Sequence, residues 1–577
     1  MPQGTKPSPT AQLDTLAHAA LARSTGALSP ASALLAWQDW SAHLAASPGK
    51  QIALAQLAAT QAGALARFYR DRLLAQPGEA RDMVEPPLQD RRFAAPQWRQ
   101  WPFSLWQQSF LLTQSWWDAA TQGVQGVEPH HQKMVNFWAR QWLDMFSPGN
   151  QLATNPQVLE ATLAQAGANL VRGAQQLAQD LQAQASGSAP ESDFAVGRNL
   201  ATTPGRVVLK NRVMELIQYS PTTASVHAEP VLLVPAWIMK YYILDLSPHN
   251  SLVKYLVDHG HTVFCISWKN PGEAERDLGM DDYLADGFHA ALTAVNAICP
   301  QRRVHATGYC LGGTLLAIAA AAMARDGDDR LASASFFAAQ TDFSEPGELG
   351  LFIDESQVTL LEAQMAQTGY LTAAQMAGAF QMLRSYDLLW SRLVHAYLLG
   401  ERSSMNDLMA WNADATRMPA KMHSQYLRRL FLNDDLSEGR YPVGGKPVSL
   451  SSLSLPMFMV GTTTDHVAPW RSVHKLHYLC PAEITFVLTS GGHNAGIVNP
   501  PVPDSKRRYQ WLTREAGGNY LAPDEWLAAA PTTAGSWWPA WQQWLAARSG
   551  AQVKPPRMGH RAYPAMADAP GSYVLEK

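Results

Sequence analysis

The apolar positions divide the chain into two stretches with different periodicity. Residues 1–195 are rich in Ala, Leu, Gln and Trp and show no lasting strand-like alternation. Within 156–184 the leucines recur at helical spacing. The small and polar run 183–196 is typical of a linker. We therefore expect a mainly helical N-terminal domain over residues 1–195.

After this linker, compact apolar runs alternate with helical stretches. An opening strand pair is predicted at 207–209 and 214–219, and helices are predicted at 251–259, 283–298 and 314–323. Five further apolar runs bounded by loops predict strands, at 231–234, 262–266, 304–307, 457–460 and 484–488. Strands that alternate with helices predict a mostly parallel sheet covered on both faces. Residues 196–577 are therefore expected to form one α/β domain.

A glycine-framed cysteine follows one of these predicted strands. The string Gly308-Tyr309-Cys310-Leu311-Gly312-Gly313 stands between the strand at 304–307 and the helix at 314–323. Strand, sharp turn and helix are the context of a nucleophile elbow, and flanking glycines let strand and helix approach closely. Cysteine in place of the usual serine favours acyl transfer through a thioester. The irregular stretch 344–450 would then be a lid over the nucleophile.

A cysteine nucleophile needs a base, and the base needs an orienting acid. Asp465 follows the strand at 457–460, and His493 follows the strand at 484–488. This order of nucleophile, acid and histidine is the hydrolase order, and both loops are expected at the sheet edge that carries Cys310. His466 is a competing base, ranked second because it adjoins Asp465 and should point elsewhere.

Backbone groups are predicted to form an oxyanion hole beside this cysteine. The first donor is the N–H of Leu311, directly after the nucleophile. The second is expected from the loop after the strand at 231–234, with Trp237 as first choice and Ile238 as second. Such donors would stabilise the negative charge that develops on a thioester carbonyl oxygen.

Composition excludes several classes of protein. A net charge of -3 gives no electrostatic reason for binding nucleic acid. The cysteines at 265, 299, 310 and 480 form no CxxC or metal-like cluster, so neither a disulfide framework nor a metal site is predicted. No signal peptide or transmembrane segment is expected. The 20 tryptophans among 577 residues are expected mainly in core packing, including those at 98, 101, 106, 116, 117, 138 and 142.

Several motifs resemble the polyhydroxyalkanoate synthase family from about Asp90 to the C-terminus. Besides the Gly-x-Cys-x-Gly-Gly box they are Asp90-Arg91-Arg92-Phe93-Ala94, Ser147-Pro148-Gly149-Asn150, Ile217-Gln218-Tyr219-Ser220-Pro221, Lys240-Tyr241-Tyr242-Ile243-Leu244-Asp245-Leu246, Trp411-Asn412-Ala413-Asp414, Asp465-His466-Val467-Ala468-Pro469-Trp470, Gly491-Gly492-His493-Asn494 and Gly535-Ser536-Trp537-Trp538-Pro539. The wording of the cysteine box is similar to class I, which favours short 3-hydroxyacyl chains. The chain departs from the family pattern at Ala236, Met239 and His249.

The resemblance implies an α/β-hydrolase fold with a lid or cap insertion behind a mainly helical N-terminal domain. It implies polymerisation of (R)-3-hydroxyacyl-CoA, such as 3-hydroxybutyryl-CoA, on Cys310, with release of CoA and no cofactor. Asp465 would act on the 3-hydroxyl directly or through His493. Implied partners are the polyester granule surface, a second copy of the chain in a homodimer and, through the N-terminal domain, granule-associated proteins. The implied location is cytoplasmic, on polyhydroxyalkanoate granules.

Two other hypotheses remain at this stage. A cysteine-dependent acyl-CoA thioesterase or polyester depolymerase of the same fold would use the same three residues with water as the acceptor. A non-catalytic granule-coating protein would not need Cys310 at all.

Overall fold

A computed structural model describes residues 8–74, 88, 90–186, 193–383, 389–402 and 404–577. The centre of the predicted linker at 183–196 lies outside the described residues. The chain groups into two compact units. The first comprises Met1–Leu28, Ser192–Ala377 and Met405–Lys577, and the second comprises Ser29–Glu191 and Gly378–Ser404.

Among the described residues, ten strands form one sheet in the first unit. They are β1 Gly205–Lys210, β2 Met214–Tyr219, β3 Val231–Val234, β4 Val263–Trp268, β5 Val304–Tyr309, β6 Leu331–Phe337, β7 Met457–Thr462, β8 Ile484–Thr489, β9 Arg508–Arg514 and β10 Thr532–Ala534. Their spatial order is β1-β2-β4-β3-β5-β6-β7-β8-β9-β10. The strands from β4 to β8 in that order are parallel, and antiparallel strands flank them on both sides.

The predicted parallel sheet is confirmed, and the prediction missed three of its strands. The strand β6, Leu331–Phe337, alternates alanine and serine after its first leucine, so no compact apolar run marks it. Strand β9 has only Tyr509 buried and carries several polar residues, and the edge strand β10 has only three residues. Antiparallel strands of this kind bury one face at most, which weakens their signal in the sequence.

The helices cover the sheet in the first unit and build the second unit. The α-helices of four residues or more in the described part are α1 Pro9–Ser24, α2 Pro30–Ala45, α3 Pro48–Leu74, α4 Phe103–Thr121, α5 Pro129–Met145, α6 Pro156–Ala164, α7 Ala168–Ser186, α8 Leu252–Asp258, α9 Ala290–Ile298, α10 Leu311–Asp326, α11 Glu355–Thr368, α12 Ala373–Leu383, α13 Asp407–Ala413, α14 Ala420–Tyr426, α15 Trp470–His474, α16 Leu476–Leu479, α17 Pro523–Ala529 and α18 Trp538–Ala547. None of the helices described has the length and apolarity that a membrane crossing requires.

The second unit packs its helices around two small aromatic clusters. Trp40 and Met134 belong to one cluster, and Phe93, Trp98 and Phe110 belong to the other. Several of these helices begin at a proline, which has no N–H to leave unpaired in the first turn. The expectation that the tryptophans here are packing residues holds for Trp98 but is wrong for two others. Their exposed fractions are 75% for the residue at 101 and 61% for that at 142.

The core of the first unit lies between the sheet and its helices. Strands β3, β5, β7 and β8 are buried along their whole length. Helix α18 packs on the sheet through fully buried Trp541, whose ring lies 4.9 Å from that of Phe337 and whose indole donates a hydrogen bond to Ser335 Oγ at 3.0 Å. Trp537 and Trp538 of the tryptophan-rich motif belong to the same buried core.

Glycines let helix α10 lie against the strand backbones. A Cβ atom added to Gly312 would lie 2.0 Å from the carbonyl oxygen of Val234, at the end of β3. One added to Gly308 would lie 2.3 Å from Gly313 Cα, and one added to Gly313 would lie 2.3 Å from Ala339 Cβ. No side chain fits at these distances, so the glycine frame of the cysteine is a packing requirement.

We expect Gly312→Ala to destabilise the protein by about 1–3 kcal/mol or more, because the new methyl group must push α10 away from β3. Thermal unfolding followed by circular dichroism measures this as a lower Tm. Gly49→Ala is the matched control, since a Cβ there meets no atom within 4 Å. Equal Tm values for the two variants would contradict the close packing of α10.

Candidate active site

Cys310 lies in the sharp turn between β5 and α10. Its backbone angles are φ 53° and ψ -127°, in a region that residues other than glycine rarely adopt. The turn is held because the Cys310 N–H donates to the Phe337 carbonyl at 2.9 Å, and the Gly313 N–H donates to the Cys310 carbonyl at 2.9 Å. This strained and braced conformation is the one that a nucleophile elbow requires.

The strands β7 and β8 bring Asp465 and His493 together. The two strands are parallel, with Thr462 opposite Thr489, so the loops that follow them leave the same edge of the sheet. His493 Nδ1–H donates a hydrogen bond to Asp465 Oδ2 at 2.8 Å. The sequence-predicted acid and base are therefore direct partners in the structure.

The carboxylate of Asp465 is buried and fully engaged. Its Oδ1 accepts the N–H groups of Val467 and Ala468, each at 2.8 Å, and its Oδ2 also accepts the Thr462 hydroxyl at 3.1 Å. Burial alone would raise the pKa of Asp465, but the charge of His493 and these hydrogen bonds hold that pKa below its usual value. Asp465 is therefore ionised at neutral pH and orients the imidazole.

His493 lies between Asp465 and Cys310. Burial alone would lower the pKa of its imidazole, but the Asp465 carboxylate and the hydrogen-bonded Cys310 side chain together raise that pKa well above its usual value. Because Nδ1 is bonded to Asp465, Nε2 is the ring nitrogen left for Cys310. The raised pKa favours the protonated imidazole, and the contact with Cys310 is the pairing of base and thiol that a cysteine nucleophile needs.

The N-terminus of α10 adds to the stabilisation of negative charge at this position. Cys310 is the residue that precedes the first turn of this 16-residue helix. The partial positive charge of the unpaired N–H groups at a helix N-terminus favours an anion there. The helix N-terminus and a protonated His493 would both favour negative charge at this place.

The predicted oxyanion donors lie in two segments that leave neighbouring strands, β3 and β5. Val234, at the end of β3, pairs with Gly308, so the loop that carries Trp237 and Ile238 begins beside the elbow. In the part of the chain that the structure describes, no hydrogen-bond acceptor is found for the backbone N–H of Leu311 or of either loop residue. Unpaired donors at this place fit an oxyanion hole, and they leave both candidates for the second donor open.

The competing histidine and the other cysteines occupy different positions. We call residues 344–450, the stretch predicted to be a lid, the cap. The carbonyl of His466 accepts the N–H of Glu348 in the cap at 3.0 Å, while Asp465 binds the ring of His493. This geometry favours His493 as the base. Cys265, Cys299 and Cys480 are buried thiols outside the elbow.

Sequence reasoning missed two polar neighbours of the site. The Tyr309 hydroxyl donates to Asn494 Oδ1 at 2.6 Å, and the Tyr309 ring lies 5.6 Å from the imidazole of His493. Tyr309 precedes Cys310 and Asn494 follows His493, so both lie in motifs named above. Those motifs were interpreted only through their catalytic residues. In the cap, burial and the charge of Cys310 raise the pKa of Tyr426 well above its usual value.

We expect Asp465→Asn to lower the pKa of His493, because the charge that outweighs burial is lost. With less imidazolium beside it, Cys310 should react about tenfold more slowly with iodoacetamide at pH 7. Mass spectrometry of the peptide that contains Cys310 measures the rate. Asp407→Asn, a buried change outside the site, is the control, and an unchanged rate in Asp465→Asn would contradict the assigned role.

Comparison with known proteins agrees with the fold. The family profile "Poly-beta-hydroxybutyrate polymerase (PhaC) N-terminus" matches residues 89–256, and "alpha/beta hydrolase fold" matches 229–500. A third profile, "Poly-beta-hydroxybutyrate polymerase N terminal", matches residues 8–50. The predicted α/β-hydrolase fold is therefore confirmed.

Full-length relatives are similar over most of the chain. A poly(3-hydroxyalkanoate) polymerase of Methylorubrum extorquens is 42% identical over 86% of this chain and 82% of its own. The polymerase subunit PhaC of Rhizobium meliloti is 40% identical over 86% of this chain and 82% of its own length. The polymerase subunit PhaC of Cupriavidus necator is 36% identical over 94% of this chain and 95% of its own length. The chain belongs to the poly(3-hydroxyalkanoate) polymerases, a family of acyltransferases built on the α/β-hydrolase fold.

Proposed function

We propose that this protein polymerises short (R)-3-hydroxyacyl-CoA units, such as 3-hydroxybutyryl-CoA, into polyhydroxyalkanoate through an acyl group on Cys310. Family membership supports polymerisation of hydroxyalkanoates. The observation that carries the rest is the contact of Cys310 with His493, whose other nitrogen binds Asp465 at 2.8 Å. A paired thiol exchanges thioesters well because thiolate is both a strong nucleophile and a good leaving group.

In the first half of the cycle, the proton of Cys310 passes to His493 Nε2. The thiolate attacks the thioester carbonyl, and backbone N–H groups stabilise the oxyanion. The carbon–sulfur bond to CoA breaks, and His493 returns its proton to the departing CoA thiolate. The products are free CoA and a 3-hydroxyacyl group bound to Cys310.

In the second half, the 3-hydroxyl of another unit must lose its proton to attack the acyl-enzyme. Both oxygens of Asp465 are already hydrogen-bonded and its side chain is fully buried. These contacts favour His493 as the base that meets the hydroxyl, with Asp465 acting through it. The new ester bond forms, the Cys310 thiolate leaves, and the polymer is longer by one unit.

Water must be excluded, since it would hydrolyse the acyl-enzyme. Cys310 is buried, and Tyr426 of the cap, whose pKa the charge of Cys310 helps to raise, is buried as well. This burial supports transfer to a hydroxyacyl chain in preference to water. The proposed chemistry needs no cofactor beyond the thioester substrate. We further propose that the active form is a homodimer located at the surface of polyester granules in the cytoplasm, with granule-associated proteins bound through the N-terminal domain.

Purified protein supplied with 3-hydroxybutyryl-CoA should release CoA and form insoluble polyester. Cys310→Ala should abolish both, and Cys310→Ser should slow them on the order of a thousandfold, because a neutral hydroxyl is a poorer nucleophile for this base. Cys299→Ser is the control, since that thiol lies at the end of α9. Release of CoA with only free 3-hydroxybutyrate would identify a thioesterase instead, and undiminished polymer from Cys310→Ala would point to a non-catalytic role.

The short-chain assignment makes a separate prediction. The value of kcat/KM for 3-hydroxybutyryl-CoA should exceed that for 3-hydroxyoctanoyl-CoA by about tenfold or more, a difference that a few methylene groups can produce in a closely fitting pocket. Steady-state release of CoA measures both values. Faster turnover of the longer substrate would overturn the class I resemblance and leave the chemistry on Cys310 intact.

A further inference from the structure

The loop that carries the candidate oxyanion donors is held by a segment of the cap. We call residues 411–416 the cap strap. The Thr416 hydroxyl donates to the carbonyl oxygen of Trp237 at 3.1 Å, and both residues are buried. Farther along, the Trp411 indole donates to the Lys240 carbonyl at 2.7 Å. The cap strap therefore binds this loop at the peptide between Trp237 and Ile238 and again at Lys240.

The bond to Thr416 fixes the orientation of the peptide between Trp237 and Ile238. A trans peptide is planar, so its C=O and N–H groups point in opposite directions. Were this peptide turned over, the Trp237 carbonyl oxygen would face the developing oxyanion and repel it. Thr416 prevents that rotation because the rotation would leave a buried carbonyl oxygen without a donor.

The cap strap also contacts the loop that carries His493. Asn412 Oδ1 accepts a hydrogen bond from Asn494 Nδ2 at 3.4 Å, and Asn494 in turn accepts the Tyr309 hydroxyl. Asn494 follows His493, and Tyr309 precedes Cys310. One short segment of the cap thus contacts the oxyanion loop and the loop that carries the base.

We propose that Thr416 is a positioning residue for acyl transfer, which holds the Trp237–Ile238 peptide so that the Ile238 N–H completes the oxyanion hole with Leu311. The inference rests on the proposed function, because it concerns the thioester carbonyl that Cys310 attacks. It also selects Ile238 over Trp237 as the second donor. Thr416 itself touches neither the substrate nor the thiol in this role.

The test compares Thr416→Val with Thr416→Ser. Valine keeps the shape of threonine but lacks the hydroxyl, whereas serine keeps the hydroxyl. With 3-hydroxybutyryl-CoA, Thr416→Val should lower kcat for CoA release by about tenfold to a hundredfold, since misplacing an oxyanion donor acts on the transition state. KM should change by less than about twofold, and Thr416→Ser should retain most of the wild-type kcat.

Trp411→Phe is the matched control within the strap. It removes one hydrogen bond between the strap and the same loop, but at Lys240, away from the donor peptide. Its kcat should fall by less than about threefold if Thr416 positions the donor, and as far as that of Thr416→Val if the strap serves only as a tether. The pH dependence of kcat should be the same in all variants, because Cys310 and His493 are untouched.

Thermal unfolding verifies that each variant is folded, and Thr416→Ala replaces Thr416→Val if the latter does not fold. A wild-type kcat in the variants without the hydroxyl would overturn the inference. So would an effect on KM alone, or a Thr416→Ser variant as impaired as Thr416→Val. Each of these results leaves Cys310-dependent CoA release by the wild type intact. Absence of that release from the wild-type protein would instead overturn the proposed function, and this inference with it.

Discussion

The contact between the first turn of α10 and the end of β3 is the constraint on which the site depends. Gly312 lies so close to the Val234 carbonyl that only a hydrogen fits between them. The chain must therefore turn within a single residue, and that residue, Cys310, takes a positive φ. The same contact places the Leu311 N–H beside the loop after β3. Packing and chemistry thus share one requirement, namely a strand and a helix that approach more closely than side chains permit.

The electrostatics of the site depend on two opposite pKa shifts, one of Asp465 and one of His493. The pKa of Asp465 is lowered, so its contribution to stability is present at neutral pH and is lost as pH falls through that lowered value. The pKa of His493 is raised, so its contribution is full below the usual histidine value and is lost as pH rises through the raised one. The pair is most favourable in the interval between the two. In that interval the ionised Asp465 and the protonated His493 stabilise each other beside Cys310.

Prediction from the sequence succeeded where a short motif and the packing of the folded domain require the same residues. Glycines around Cys310 and loops after consecutive strands predicted the three residues that the structure brings together. Thr416 was not predicted, because its partner Trp237 lies 179 residues away and threonine in a loop carries no signal of its own. The strand β6 was missed for a related reason, since its Ala and Ser residues pack between neighbours that only the folded sheet supplies. The exposed tryptophans at 101 and 142 show that composition cannot separate core from surface.

The loop of His493 depends on a helix that comes much later in the chain. The Trp537 indole donates to the Gly496 carbonyl at 3.0 Å, from a position 41 residues farther on, and the Trp538 indole donates to the Ile497 carbonyl at 2.9 Å. Because a ribosome synthesises the chain from its N-terminus, the elbow and His493 are made before the two indoles that hold this loop. The support of the His493 loop is therefore completed only when the chain has been made as far as Trp538.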